Sequence, residues 1–104
     1  MKFHHIGVPT TRVQAGEKHL ADAKLYVTDP EANEHRIEWL RFETGSPMPA
    51  ELQARTHIAF EVADLDAVIQ GKPMLIEPFE PLPGVRAAFV MDGDVPVEYM
   101  QIVR

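Results

Sequence analysis

The sequence predicts an α+β fold of two tandem β-α-β-β-β modules, the first one shortened. Three observations lead there. Strand-like stretches punctuated by proline and glycine recur along the 104 residues, which include nine prolines. The second half reads directly as β-α-β-β-β. Short motifs of the first half return, in the same order, in the second. With helices this short, the sheet is expected to be twisted and mostly antiparallel.

In chain order, Phe3 to Val8 reads as a strand ended by Pro9. Thr10 to Leu20 is weaker: Thr11 can cap a short helix carrying Val13 and Leu20, but Gly16 lies inside it. Ala23 to Thr28 reads as a strand closed by Asp29-Pro30. Arg36 to Glu43 alternates, with Glu38, Leu40 and Phe42 on one face and Ile37, Trp39 and Arg41 on the other. Thr44 to Arg55 carries Gly45, Ser46, Pro47 and Pro49 and reads as a connection. Thr56 to Val62 is a strand. Asp64 is an N-cap, Leu65, Val68 and Ile69 form a short apolar face, and Gly71 is a stop. Met74 to Glu77, Val85 to Met91 and Val97 to Val103 are strands. Pro78, Pro81 and Pro83-Gly84 mark turns between the first two, and Asp92-Gly93-Asp94 marks a hairpin between the last two. The expected organisation is a single domain over residues 1–104: module one about 1–45, a linker about 46–55 and module two about 56–104.

Composition narrows the function. The apolar share is 45% and the charged share 25%, as in ordinary globular proteins. No cysteine is present, which removes disulfides, thiolate metal sites and thiol nucleophiles. Sixteen acidic residues against ten basic ones give a formal charge of -6, and no basic stripe suits a nucleic acid. The longest apolar run, Ala87 to Met91, falls far short of the roughly 20 residues of a membrane helix. The expectation is a cytoplasmic homodimer acting on a small-molecule substrate, with no nucleic-acid or membrane partner. Ser46, the one serine, lacks the context of a nucleophile, and no glycine-rich phosphate motif occurs.

The repeat singles out four side chains. His5-Ile6-Gly7-Val8 matches His57-Ile58-Ala59-Phe60, and Ile37-Glu38-Trp39-Leu40 matches Val97-Glu98-Tyr99-Met100. Strand parity sets His5 with Gly7 and His57 with Ala59, opposite the apolar Ile6, Val8, Ile58, Phe60 and Val62. Glu38 shares its face with Leu40 and Phe42, and Glu98 shares its face with Met100 and Ile102. A carboxylate on an apolar face is costly unless it is paired or binds a cation. Two such carboxylates with two matching imidazoles point to a metal held by His5, Glu38, His57 and Glu98. The mixed N/O set suits Zn, Ni, Mn, Co or Fe(II), and not Ca, which takes oxygen ligands. The structural alternatives are core or surface histidines, and glutamates turned outward by a one-residue slip in register. His4 points to the face opposite His5. His19 and His35 lie in polar stretches. Arg41 and Arg86 are candidates to meet an anionic substrate, with a surface role as the default. Phe42, Met100 and Ile102 share the faces of the two glutamates and are candidate pocket residues.

These motifs, with Thr56 to Asp66 and Pro96 to Met100, resemble the vicinal oxygen chelate superfamily of glyoxalase I, methylmalonyl-CoA epimerase, extradiol dioxygenases and bleomycin-resistance proteins. The resemblance covers nearly the whole chain and is stronger in the second half. It implies a curved mixed sheet around a central cavity, with ligands from the first and last strands of each module. Carried over by position, these are His5, Glu38, His57 and Glu98, an order of two His and two Glu like that of glyoxalase I. The implied function is a divalent-metal-dependent lyase or isomerase that transfers a proton on a small oxygenated substrate, with Glu98 as first choice for the base and Glu38 as second. Two alternatives belong to other classes: a non-catalytic binding protein of the bleomycin-resistance type, and an Fe(II) dioxygenase of the extradiol type. No residues correspond to surfaces that hold glutathione.

Overall fold

The computed structural model describes residues 1–103 and is α+β. Its strands are β1 (Lys2–Pro9), β2 (Lys18–Leu20), β3 (Leu25–Val27), β4 (Ile37–Phe42), β5 (His57–Glu61), β6 (Met74–Leu82), β7 (Val85–Asp92) and β8 (Val95–Ile102). Two short helices, α1 (Ala50–Ala54) and α2 (Leu65–Ile69), and one 3-10 turn at Pro30–Ala32 complete it. The chain divides into two compact units: His5–Thr56, and Met1–His4 together with the chain from His57 onward. Among the described residues, no helix is long and apolar enough to cross a membrane.

In the unit His5–Thr56 the strands run in the order β2-β3-β4-β1. β1 and β4 are parallel, while β2, β3 and β4 are antiparallel. Leu25, Leu40 and Leu52 are its buried leucines. The short helix considered over 10–20 does not form; residues 10–17 are loop and β2 follows. The segment has no apolar stripe to bury, since Val13 stays 75% exposed, and Gly16 takes φ +77°, outside the helical region. The stretch 46–55 carries helix α1. Its Glu51-Leu52-Gln53-Ala54 run favours helix, and Leu52 anchors it at 2% exposure.

The unit containing β5 to β8 has the strand order β5-β8-β7-β6, with β5 parallel to β8 and the other pairs antiparallel. It reads β-α-β-β-β as expected. Asp64 caps α2 by accepting a hydrogen bond from the Ala67 amide at 3.2 Å. Leu65 from the helix packs with Val62, Ala88, Val90, Val97 and Tyr99, and Phe60, Val68, Ile69 and Met74 close the cluster. So the odd-numbered face of β8 faces α2, and the face that carries Glu98 looks the other way. β6 runs through Pro78 and Pro81, which were expected to mark turns. It lies at the end of this unit's strand order, where a missing N–H is tolerated, and its register to β7 shifts around these prolines. The turn comes at Pro83-Gly84, with Gly84 at φ +80°.

A bidentate ion pair fastens the loop before β2 to β4. Arg41 Nε and Nη2 each donate to the Glu17 carboxylate at 2.8 Å. The Arg41 hydrogen bonds hold the Glu17 carboxyl below its ordinary 4.5. A carboxyl whose folded pKa is lowered stabilises the fold above its unfolded pKa and loses that contribution as pH falls through the folded value. Glu17→Gln should therefore destabilise the protein at neutral pH. The gap in urea midpoint between wild type and E17Q should then close as the pH is lowered from about 5 towards 3.

Candidate functional site

The sequence repeat becomes a repeat of register. On β1 and β4, Ile6 lies opposite Ile37, Gly7 opposite Glu38 and Val8 opposite Trp39. On β5 and β8, Ile58 lies opposite Val97, Ala59 opposite Glu98 and Phe60 opposite Tyr99. In each unit a very small residue therefore faces the glutamate across a parallel pair. The histidine two residues earlier shares the small residue's face. A larger side chain at Gly7 or Ala59 would fill the space into which ring and carboxylate turn.

Within the unit His5–Thr56, His5 Nε2 lies 3.5 Å from Glu38 Oε1. Within the other unit, His57 Nε2 lies 3.2 Å from Glu98 Oε1. His5 is 2% exposed, His57 1% and Glu98 6%, while Glu38 is half-buried. Phe89 lies opposite Glu98 in the β7–β8 register and meets the His57 ring edge-on, with centroids 5.1 Å apart. Phe79 stacks behind Phe89 at 6.4 Å. These contacts fix the plane of the His57 ring. Phe89 is itself buried. The two-residue turn between Asp92 and Val95 was the signal that sets it across from Glu98.

Each pair is a nitrogen and an oxygen separated by about the distance between neighbouring ligands of one ion. Ligands about 2.1 Å from a metal, at angles between octahedral and tetrahedral, lie roughly 3.0–3.4 Å apart. A divalent cation between such a nitrogen and oxygen requires a neutral imidazole and an ionised carboxylate, so binding would be favoured as pH rises. The residues present thus fit a metal of the kind that accepts imidazole and carboxylate ligands.

The other polar candidates serve elsewhere. His4 is half-buried on the face of β1 opposite His5. His19 Nε2 pairs with Glu43 Oε1 at 2.6 Å, and its ring stacks on Tyr26 at 4.3 Å. His35 and its neighbour Glu34 are both exposed. Arg41 is taken up by Glu17 and lies over the Tyr26 ring at 4.1 Å, and Arg86 pairs with Asp66 at 3.1 Å. Ser46 Oγ donates to the Ala23 carbonyl at 2.6 Å. Of the candidate pocket residues, Met100 packs with Ala59 and Ala87. Phe42 lines an open groove with Pro9 and Thr10, and Ile102 lines a separate depression beside Val62.

No protein-family model matches the sequence, and no curated protein is similar to it in sequence. Solved structures do match. A hypothetical protein, BH1468 from Bacillus halodurans C-125, aligns with a TM-score of 0.77 at 24% identity, over 99% of this chain and 95% of that one. Methylmalonyl-CoA epimerase from Mycobacterium tuberculosis aligns with a TM-score of 0.67 at 16% identity, over 99% of this chain and 89% of that one. The chain has their fold. At these identities the likeness concerns the backbone path, and it agrees with the vicinal oxygen chelate fold expected from the sequence motifs.

The small residue opposite each glutamate gives a direct test. Ala59 is fully buried. Ala59→Leu should cost about 1–3 kcal/mol by overpacking. It should also shift the His57 ring proton resonances by forcing ring and carboxylate apart. Urea denaturation and proton NMR of the imidazoles measure the two effects. Unchanged His57 resonances would show that the space beside Ala59 does not set the pair.

Proposed function

We propose that the chain is a divalent-metal-dependent isomerase or lyase of the vicinal oxygen chelate type, moving a carbon-bound proton on a small oxygenated substrate. The observation that carries this reading is the buried His–Glu pair, found twice in the same register. Two such pairs offer two imidazole nitrogens and two carboxylates, and we propose His5, Glu38, His57 and Glu98 as metal ligands, the set the sequence repeat singles out. This stoichiometry leaves coordination positions for substrate oxygens. The shared fold with an epimerase supports isomerisation over other chemistry.

When bound, the ion supplies a Lewis acid for a carbonyl oxygen on which negative charge develops as the adjacent C–H bond breaks. The chain supplies the proton carrier. Glu98 is the first choice, because its side chain is 8% exposed against 20% for Glu38 and is better shielded from competing water. The Glu98 carboxylate would take the proton and return it, while the His57 ring, held by Phe89, keeps the carboxylate aimed. Glu38, the more accessible carboxylate, is the second choice for the base. Apolar neighbours Ala59, Ala87 and Met100 keep the Glu98 face dry.

Metal content measured by mass spectrometry on untagged protein tests the reading. The expected result is close to one ion per chain, after reloading with Zn, Ni, Mn, Co or Fe(II) if needed. Binding should be lost in His57→Ala and Glu98→Ala variants shown to be folded by circular dichroism. Loaded protein should exchange a substrate C–H proton into heavy water for some member of an α-hydroxycarbonyl and thioester panel. Glu98→Gln should slow that exchange by about 10²–10⁴. Absence of metal after reloading overturns the metalloenzyme reading. Metal without exchange overturns the catalytic one.

A further inference from the structure

The unit His5–Thr56 holds an open groove of about 460 Å³, lined by Pro9, Thr10, Thr11, Arg12, Phe42 and Gln53. That volume suits a small organic group. The groove sits where the parallel strands β1 and β4 both end, because Pro9 lies opposite Leu40 and Phe42 closes β4. Parity links it to the pair: His5, Gly7 and Pro9 share one face of β1, and Glu38, Leu40 and Phe42 share one face of β4. Four residues of strand span about 13 Å.

Three features give the groove its chemistry. Among the described residues no carboxylate pairs with the Arg12 guanidinium, whereas the Arg41 and Arg86 guanidinium groups each bind one. Thr10 Oγ1 accepts a hydrogen bond from the Arg12 amide at 3.1 Å, which ties the arginine to the end of β1 and leaves the hydroxyl proton to donate. Thr11 offers a second hydroxyl. Gln53 uses both amide hydrogens on the Ser46 and Met48 carbonyls, at 3.3 and 2.9 Å, and serves as a fixed wall. Phe42 adds one apolar surface. A guanidinium and two hydroxyls lining one groove offer a receptor for an oxyanion, in a chain whose overall charge of -6 otherwise repels anions.

We propose that this groove binds the carboxylate or phosphate group of a ligand through Arg12, Thr10 and Thr11. It forms the anion-holding end of a substrate whose reacting oxygens lie at the His–Glu site. Only that last clause rests on the function proposed above; binding of the anion in the groove does not. The substrate class is therefore an oxygenated small molecule bearing an oxyanion roughly 13 Å of extended strand away from its reacting end.

The test uses the full chain stripped of metal, so that its failure and failure of the metal reading stay separate. Inorganic phosphate and acetate are titrated in separate arms, with backbone amide shifts followed by NMR. Saturable shifts are expected at Thr10, Thr11, Arg12 and Phe42, with an apparent affinity at least about tenfold weaker in Arg12→Gln. The amides of His19 and Leu20, on β2 at the end of this unit's strand order, should report an unchanged fold. Response to phosphate alone assigns a phosphate group, response to acetate alone a carboxylate, and response to both an oxyanion of either kind. Shifts that are absent, that do not saturate, or that persist unchanged in R12Q overturn the proposal.

Discussion

Glu98 brings a carboxylate into a sheet face made of Ala59, Ala87 and Met100, and this is tolerable because the His57 ring meets it at 3.2 Å. Burial of an unpaired carboxylate would cost several kcal/mol, a large share of the stability of a domain this size. The pairing needs three things together: parallel strands in one register, a small residue opposite the glutamate, and a histidine two positions before it. The unit His5–Thr56 meets the same three conditions with His5, Gly7 and Glu38. Much of the rest of the architecture serves to keep those registers.

In the unit containing β5 to β8, α2 provides the means. Its apolar residues cover Val97 and Tyr99, so β8 has a packed side and a functional side. A slip of one residue would turn Glu98 and Met100 towards the helix and Val97 and Tyr99 away from it, which the packing forbids. The Asp92–Val95 turn then locks β7 to β8 and delivers Phe89 against the His57 ring. In the unit His5–Thr56 no helix follows β1. The ion pair between Glu17 and Arg41, the stacking of His19 on Tyr26 and the anchoring of α1 by Leu52 are its fastenings. The absent helix also leaves residues 10–12 as the loop that forms the groove wall.

Much of the candidate site was legible because parity is local. Whether a side chain shares the face of Ile6 or of Gly7 follows from counting along a strand, and the repeat supplied a second count to check the first. Asp64 as a helix cap was legible for the same reason, since a cap needs only its own N-terminal turn. Misreadings came where local signals were ambiguous. Pro78 and Pro81 punctuate turns in most contexts, yet an edge strand accepts them. Pro47 and Pro49 suggested only a connection, and a five-residue helix lies directly after them.

Arginine roles show the same division. Arg41 and Arg86 were named from sequence as candidates to meet an anion, and both turn out to be engaged by carboxylates 24 and 20 residues away. Arg12, which sequence reading passed over, faces the groove. By itself the sequence determined the α+β class and the strand faces, and singled out four His and Glu side chains as candidates, because alternation and repetition act between near neighbours. Tertiary structure alone decided which glutamate meets which histidine, which ring holds it, and which arginine keeps its charge available. Those outcomes depend on strand pairing between distant segments, and competition among charges is settled only once the chain has folded.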